Sequence, residues 1–163
     1  MSAPLKYHHK QIGWHSLIGH AVGFAIAFWV LSFVTLEGSM RPVMFALFAV
    51  LAATGLTFSS LLTEIDAAEF RARFGPLNWP GQSVALNEIA GVLPARTSIA
   101  AGWGIRVTTR GWLYSVSGRG AVIVGLRNGK QFLIGTDDPI GLADAINTSL
   151  PQEADFTKIR GAR

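Results

Sequence analysis

Four histidines, His8, His9, His15 and His20, stand near the N-terminus of this 163-residue chain, and there are no others. Imidazole is the commonest metal ligand in proteins. Two ligands on one helix face need a spacing of three or four residues. No pair here has it. His15 and His20 lie five apart, and His8 and His9 are neighbours that face different ways. The spacing argues against a metal or haem site. It places three of the rings at a lipid headgroup boundary and leaves His20 to pack or hydrogen-bond inside an apolar helix pair. An ionisable group within a bilayer is still a functional candidate.

Other chemical candidates fail on spacing as well. Gly125-Leu126-Arg127-Asn128-Gly129-Lys130 has three residues between its glycines where a phosphate loop has four, and Gln131 stands where Ser or Thr would meet magnesium. Gly118-Arg119-Gly120 lacks the third glycine of a dinucleotide fingerprint and opens a strand. Asp137 and Asp138, directly before Pro139, read as turn and cap residues rather than as a paired-carboxylate site. Ser115 and Ser117 have no histidine in the same part of the chain to serve as a base. Cysteine is absent, which removes thiol catalysis, thiolate zinc and disulfides. The expectation is a non-enzyme with no catalytic residue, cofactor or metal. What remains is a set of residue types enriched at binding hot spots: Arg96, Trp103, Arg106, Arg110, Trp112, Arg119 and Arg127. These are the candidate binding residues, weighed against ordinary surface arginines and core tryptophans.

The elements that must carry them follow from an uneven charge distribution. Only 15% of residues are charged, against about 25% in ordinary soluble domains. No Lys, Arg, Asp or Glu occurs from Gln11 to Leu36, nor from Pro42 to Thr63. Residues 13–36 and 39–58 read as two transmembrane helices, the first rising about 30 Å or more, the thickness of a hydrocarbon core. Trp14 and Trp29 suit the interfaces, and Pro42 suits a first helical turn. The short link Glu37-Gly38-Ser39-Met40-Arg41 forces an antiparallel hairpin. The first apolar run is longer than the core of a signal peptide and a second follows at once, so it reads as a retained anchor. Gly19, Gly23 and Ala27 recur every four residues, a small face suited to packing within the hairpin or between protomers. Ala46, Ala49 and Ala53 offer a second such face.

Lys6 and Lys10 precede the first helix, and Arg71 and Arg73 follow the second. This bias puts both termini and the domain beyond the anchor in the cytoplasm. Residues 1–12 read as a cytoplasmic segment, 59–150 as a β domain and 151–163 as a polar tail. The net charge of +4 is too small and dispersed for nucleic acid. It suits an anionic membrane surface.

Within 59–150 the pattern shortens. Leu61–Ile65 reads as a strand, Asp66-Ala67-Ala68 as a turn, and Glu69–Phe74 as a half-buried strand with Phe70, Ala72 and Phe74 on one face. Further strands are predicted from Ser83 through Leu86, over 91–97, 112–116, 121–126 and 131–134. Gly102–Arg106 is too glycine-rich to assign. Asn128-Gly129 predicts a tight hairpin that sets Phe132 opposite Gly125. A closing helix, capped by Asp138 with Pro139 in its first turn, carries Ile140, Leu142, Ala143 and Ile146 as its apolar stripe and ends near Ser149.

Phe74-Gly75-Pro76, Trp79-Pro80, Leu86-Asn87-Glu88-Ile89, Gly102-Trp103-Gly104-Ile105-Arg106, Asn128-Gly129-Lys130 and the run from Ile134 to Pro139 together resemble the membrane-anchored bacterial pleckstrin-homology-like proteins. The resemblance covers nearly the whole chain. It implies an α+β membrane protein: a helical hairpin, then a seven-stranded barrel or bent sheet closed by a C-terminal α-helix. It is nearly silent on activity. Phosphoinositide-binding members use a basic loop between the first two strands, but here that loop, Glu64 to Glu69, is acidic, which argues against this mode. The expected function is a membrane-tethered interaction module binding a protein partner or another copy of itself. The alternatives are an anionic-lipid surface sensor, or a small subunit of a membrane enzyme or transporter with His20 in its working path.

Overall fold

The computed structural model describes residues 6–33, 40–98 and 102–151. Strand β1 (Tyr7–Ile12) leads into helices α1 (Trp14–Ser32) and α2 (Arg41–Thr57). Then come β2 (Ser60–Ile65), β3 (Glu69–Phe74), β4 (Gly81–Ala85), a 3₁₀ turn (Leu86–Glu88), β5 (Ile89–Arg96), β6 (Gly104–Thr108), β7 (Gly111–Ser115), β8 (Gly120–Leu126), β9 (Gln131–Gly135) and α3 (Pro139–Ser149). The strands form one sheet in the order β1-β2-β3-β4 and another in the order β5-β8-β9-β7-β6. The chain is thus α+β, but the expected seven-stranded barrel or bent sheet is corrected: among the described residues nine strands lie in two sheets, and no barrel closes. The two added strands are β1, from the segment expected to lie free before the anchor, and β6, from the glycine-rich stretch left unassigned.

β1 pairs antiparallel with β2, from Tyr7 opposite Ile65 to Ile12 opposite Ser60. Its polar residues conceal the strand pattern, because the one buried residue, Gln11, is polar and bonded inward. Gln11, 4% exposed, donates its amide to the carbonyl and hydroxyl of Ser117, each at 3.3 Å. Thr63 donates to the His9 carbonyl at 3.2 Å. On β3, Phe70, Ala72 and Phe74 are buried while Arg71 and Arg73 are half-exposed. These apolar residues join Val92, Val122, Val124, Phe132 and Ile134 of the second sheet in one core, which Leu142, Ala143 and Ile146 of α3 complete.

Asp138 caps α3 as expected, accepting from the Gly141 N–H at 2.9 Å. Ile140 does not join the stripe: it is 68% exposed, in the first turn and outside the buried set of α3. The β8–β9 register is also corrected. Phe132 faces Val124, and Gly125 faces Gln131. A two-residue Asn-Gly turn needs positive φ at both positions. Only Gly129 has it, at +82°. The loop therefore holds three residues, with the Leu126 N–H bonded to the Lys130 carbonyl at 2.8 Å, and pairing shifts by one.

The β2–β3 turn is held by its own charges. Asp66 accepts from the N–H groups of Ala68 and Glu69 at 2.7 and 2.9 Å and pairs with Arg71 at 2.7 Å. Those backbone donors, then Arg71, hold its carboxyl below the usual range. The Ser83 hydroxyl, then Arg71, does the same for Glu69. All three carboxylates of the acidic loop are thus paired, Asp66 and Glu69 sharing Arg71 and Glu64 lying 3.7 Å from Arg73, although one negative charge is left over.

No residue of α1 is buried, and in α2 only Gly55 is. α1 is 19 residues long and apolar enough to cross a membrane, whereas α2, at 17, is a shorter apolar helix. The expected pair of full spans is corrected to one helix of spanning length and a shorter companion. Residues 34–39, including most of the expected link, lie outside the described residues, as does the tail from 152 on. The helices meet through Phe24 stacked on Phe48 at 5.6 Å and through His20.

Candidate functional site

The helix pair and the sheets are joined with almost no slack. Only Gly13 separates β1 from α1, and only Phe58 and Ser59 separate α2 from β2. Gly13 donates its N–H to the Ser59 carbonyl at 2.7 Å, and a Cβ on it would stand 2.6 Å from the Phe58 carbonyl oxygen. Gly75, at φ +62°, donates to the Ser60 carbonyl at 2.8 Å. The loop after β3 is thereby seated against the end of α2, and it presents Leu77 and Trp79 at 80% and 73% exposure.

Beside the first turns of α1 lies an open groove of about 720 Å³. His15, Gly19, His20 and Gly23 of α1 form one wall, and residues 102–106, which lead into β6, form the other. Trp103 stacks on His15 at 4.7 Å between ring centres, tilted by 18°. Its indole N–H donates to the Gly118 carbonyl at 3.3 Å. Arg106 donates Nε–H to the Trp103 carbonyl at 2.9 Å. Among the described residues no carboxylate pairs with Arg106, and no Asp or Glu lines the groove. The guanidinium is exposed, with donors to spare.

His20 is bound within the helix pair. Its Nδ1 lies 2.8 Å from the Ser16 carbonyl, which only accepts, so Nδ1 carries a proton. Its Nε2 lies 3.2 Å from the Thr54 hydroxyl of α2. Gly55 makes room for the ring: a Cβ there would meet it at 3.2 Å. The small face of α1 is not the helix contact. A Cβ on Gly19 or Gly23 would meet nothing within 4 Å, so of the two uses expected of this face, within the hairpin or between protomers, these glycines do not make the first. Ala27 is half-buried, and Ala46, Ala49 and Ala53 are exposed.

The arginine and tryptophan set does not form one surface. Trp103 and Arg106 share the groove. Arg96 and Arg119 border a neighbouring hollow with His15 and Asp137. Arg96 and Arg110 border another, over Leu133. Arg127 sits in the β8–β9 turn, at the far end of β8 from Arg119, about 20 Å away along a seven-residue strand. Trp112 belongs to a cross-sheet row in which Val92, Val124 and Phe132 are buried. The row then runs on through Trp112 to Val107, and these two are 51% and 71% exposed. Val107 and Gly55 escaped the sequence reading, as did the stacking of His15 on Trp103, and no local pattern links His15 or Gly55 to partners so distant in the chain. Asp137 and Asp138 part company: Asp138 caps α3, and Asp137 bonds the His9 ring at 2.6 Å. Among the described residues no three His, Asp or Glu side chains converge on a common point.

No family model, curated protein or solved structure matches this chain.

Proposed function

We propose that this chain is a membrane-anchored interaction module. In this reading α1 and α2 cross the bilayer as a hairpin, and the two-sheet domain, related to pleckstrin-homology-like proteins, stands at the cytosolic face and binds a protein partner through the free edge of β6. The observation that carries the reading is the pairing of β1 with β2. The strand before α1 and the strand after α2 lie side by side. Both ends of the helix pair therefore stand on one side of any bilayer that α1 crosses, and α2 must bring the chain back. Its 17 residues rise about 25 Å. Tilt of α1 and local thinning of the bilayer absorb a shortfall of this size at small cost. Helices that are apolar all round and unburied require an apolar surrounding. The same pairing argues against removal of α1 as a signal, which would strip a strand from the sheet.

Lys6 and Lys10 before α1, with Arg71 and Arg73 beyond α2, support the cytosolic side. The absence of cysteine makes this directly testable, because one introduced thiol reports alone. In Ser39→Cys, an impermeant maleimide labels intact spheroplasts. In Lys130→Cys it labels only after lysis. Labelling of both positions from outside overturns the hairpin, and the reverse pattern overturns the orientation.

Of the two edges of the larger sheet, β5 carries Pro94, which has no N–H to offer. β6 has no proline, and its exposed Val107 lies opposite the exposed Trp112 of β7. A bare apolar pair at a free strand edge suits an added strand with an aromatic anchor. Trp112→Ala is expected to weaken a stoichiometric protein complex, isolated in mild detergent, by roughly thirtyfold, the scale of a hot-spot residue. A complex held equally by wild type and variant rejects this edge.

A further inference from the structure

We infer that the groove between α1 and β6 is a binding site for one anionic phospholipid, with the phosphate held by Arg106 beside Trp103 and an acyl chain lying along Gly19 and Gly23. The inference rests on the membrane-anchored reading but does not follow from it, since an anchor needs only non-specific lipid.

The groove has two unlike ends. At the domain end stand Arg106, with guanidinium donors that meet no carboxylate among the described residues, and the stacked pair Trp103 and His15. At the helix end the walls are Gly19, Gly23 and Leu51, with open space above both glycines. A positive mouth over an apolar floor is complementary to a molecule with an anionic head and a hydrocarbon tail. The position agrees: Trp103 and His15 lie at the first turn of α1, the depth of the headgroups if α1 spans. The guanidinium fork suits phosphate oxygens, and the Trp103 carbonyl fixes one of its donors in place. A volume of about 720 Å³ falls within the range of small-molecule sites. Glycine at 19 and 23 leaves the floor unfilled, and any larger side chain would occupy the chain's path.

The test uses the full-length protein in nanodiscs of equal parts phosphatidylglycerol and phosphatidylcholine, released into detergent for native mass spectrometry. One retained phosphatidylglycerol per chain is expected, favoured over phosphatidylcholine by roughly tenfold, the scale of a charged hydrogen-bonded contact. Arg106→Gln should abolish the preference while some lipid remains, and Gly23→Leu should lower retention of both lipids. Inorganic phosphate at millimolar concentration should fail to displace the lipid. Equal retention of the two lipids by wild type and Arg106→Gln overturns the inference, as does displacement by inorganic phosphate. So does a lipid-free dimer that Gly23→Leu breaks, because a second copy would then fill the groove. Extraction of membranes with alkaline carbonate separates the two readings. A chain that stays in the membrane pellet without a retained phosphatidylglycerol rejects the lipid site alone. A chain released by carbonate rejects the anchor itself.

Discussion

Gly75→Asn is expected to lower the thermal midpoint of the β domain by roughly 10 °C or more, while Gly129→Asn lowers it by only about 3 °C, on the usual scaling of free energy to midpoint. Both glycines have positive φ, +62° and +82°, and asparagine is among the residues that best tolerate this region. Conformational strain is therefore similar at the two sites. The surroundings differ. A Cβ at Gly129 meets nothing within 4 Å, but one at Gly75 falls 2.7 Å from the Thr57 carbonyl oxygen and 2.8 Å from that of Leu56. Those oxygens are backbone at the end of α2 and have no rotamer by which to withdraw. Relief requires the loop after β3 to lift from the helix, at a cost of about 3 kcal/mol, the upper end of overpacking penalties. Tryptophan fluorescence during a thermal scan in detergent reads both variants. Equal shifts would mean that the loop is not seated on the helix end.

That seat matters because it fixes the attitude of the domain to the anchor. Gly13 on one side and Gly75 on the other bring backbone to within contact of residues 56–59. A flexible tether would leave the domain free to sample the surface in any orientation. Under the proposed function, a junction this short instead holds one side of the domain against the headgroups. The exposed Leu77 and Trp79 lie in the same loop as Gly75, and the groove of Trp103 and Arg106 opens at the first turns of α1. Under the proposed function, β6 carries both working surfaces. Its first residues line the lipid groove, and Val107 faces the partner.

Where a strand's neighbours are close in sequence, the residues declared it. Glu69–Phe74 alternates cleanly, and Asp138 and Pro139 mark the start of α3 as their types predict. The failures arise from distant partners and from single backbone angles. β1 is recognisable only through β2, which lies beyond both helices and some fifty residues away. Its histidines, Lys10 and Gln11 satisfy no apolar alternation, because the burial of Gln11 is compensated by Ser117 rather than by a hydrophobic neighbour. β6 begins at Gly104 with φ +98°, a conformation that no strand propensity anticipates. The hairpin register turned on one dihedral angle at Asn128. In the same way, seven arginines and tryptophans chosen by type alone divide into separate neighbourhoods once the sheet order is known. The pairing of His15 with Trp103, 88 positions later, has no signature in either segment.

Phe74→Ala is expected to destabilise the domain by about 3–5 kcal/mol, the cost of deleting a fully buried phenyl ring. Phe74 is 0% exposed and closes the end of the core nearest the anchor. It meets Phe58 edge-on at 5.2 Å and lies 6.4 Å from the ring of Tyr114. Phe58 is only half-buried and belongs to the two-residue connection after α2, so Phe58→Ala should cost less. The informative quantity is the coupling between them. Edge-to-face aromatic pairs contribute about 0.5–1.5 kcal/mol beyond their burial, and the double variant should be less destabilised than the sum of the single ones by that amount. Denaturant titration of the four proteins in one detergent measures it. A coupling near zero would mean that the core and the anchor fold as independent units joined by a passive linker. The expected coupling makes the end of α2 part of the core. In that case, and under the proposed function, anything that tilts α2 in the bilayer is felt at Phe74, and through Tyr114 and Phe132, whose rings meet edge-on at 6.3 Å, in the row that ends at Trp112 and Val107.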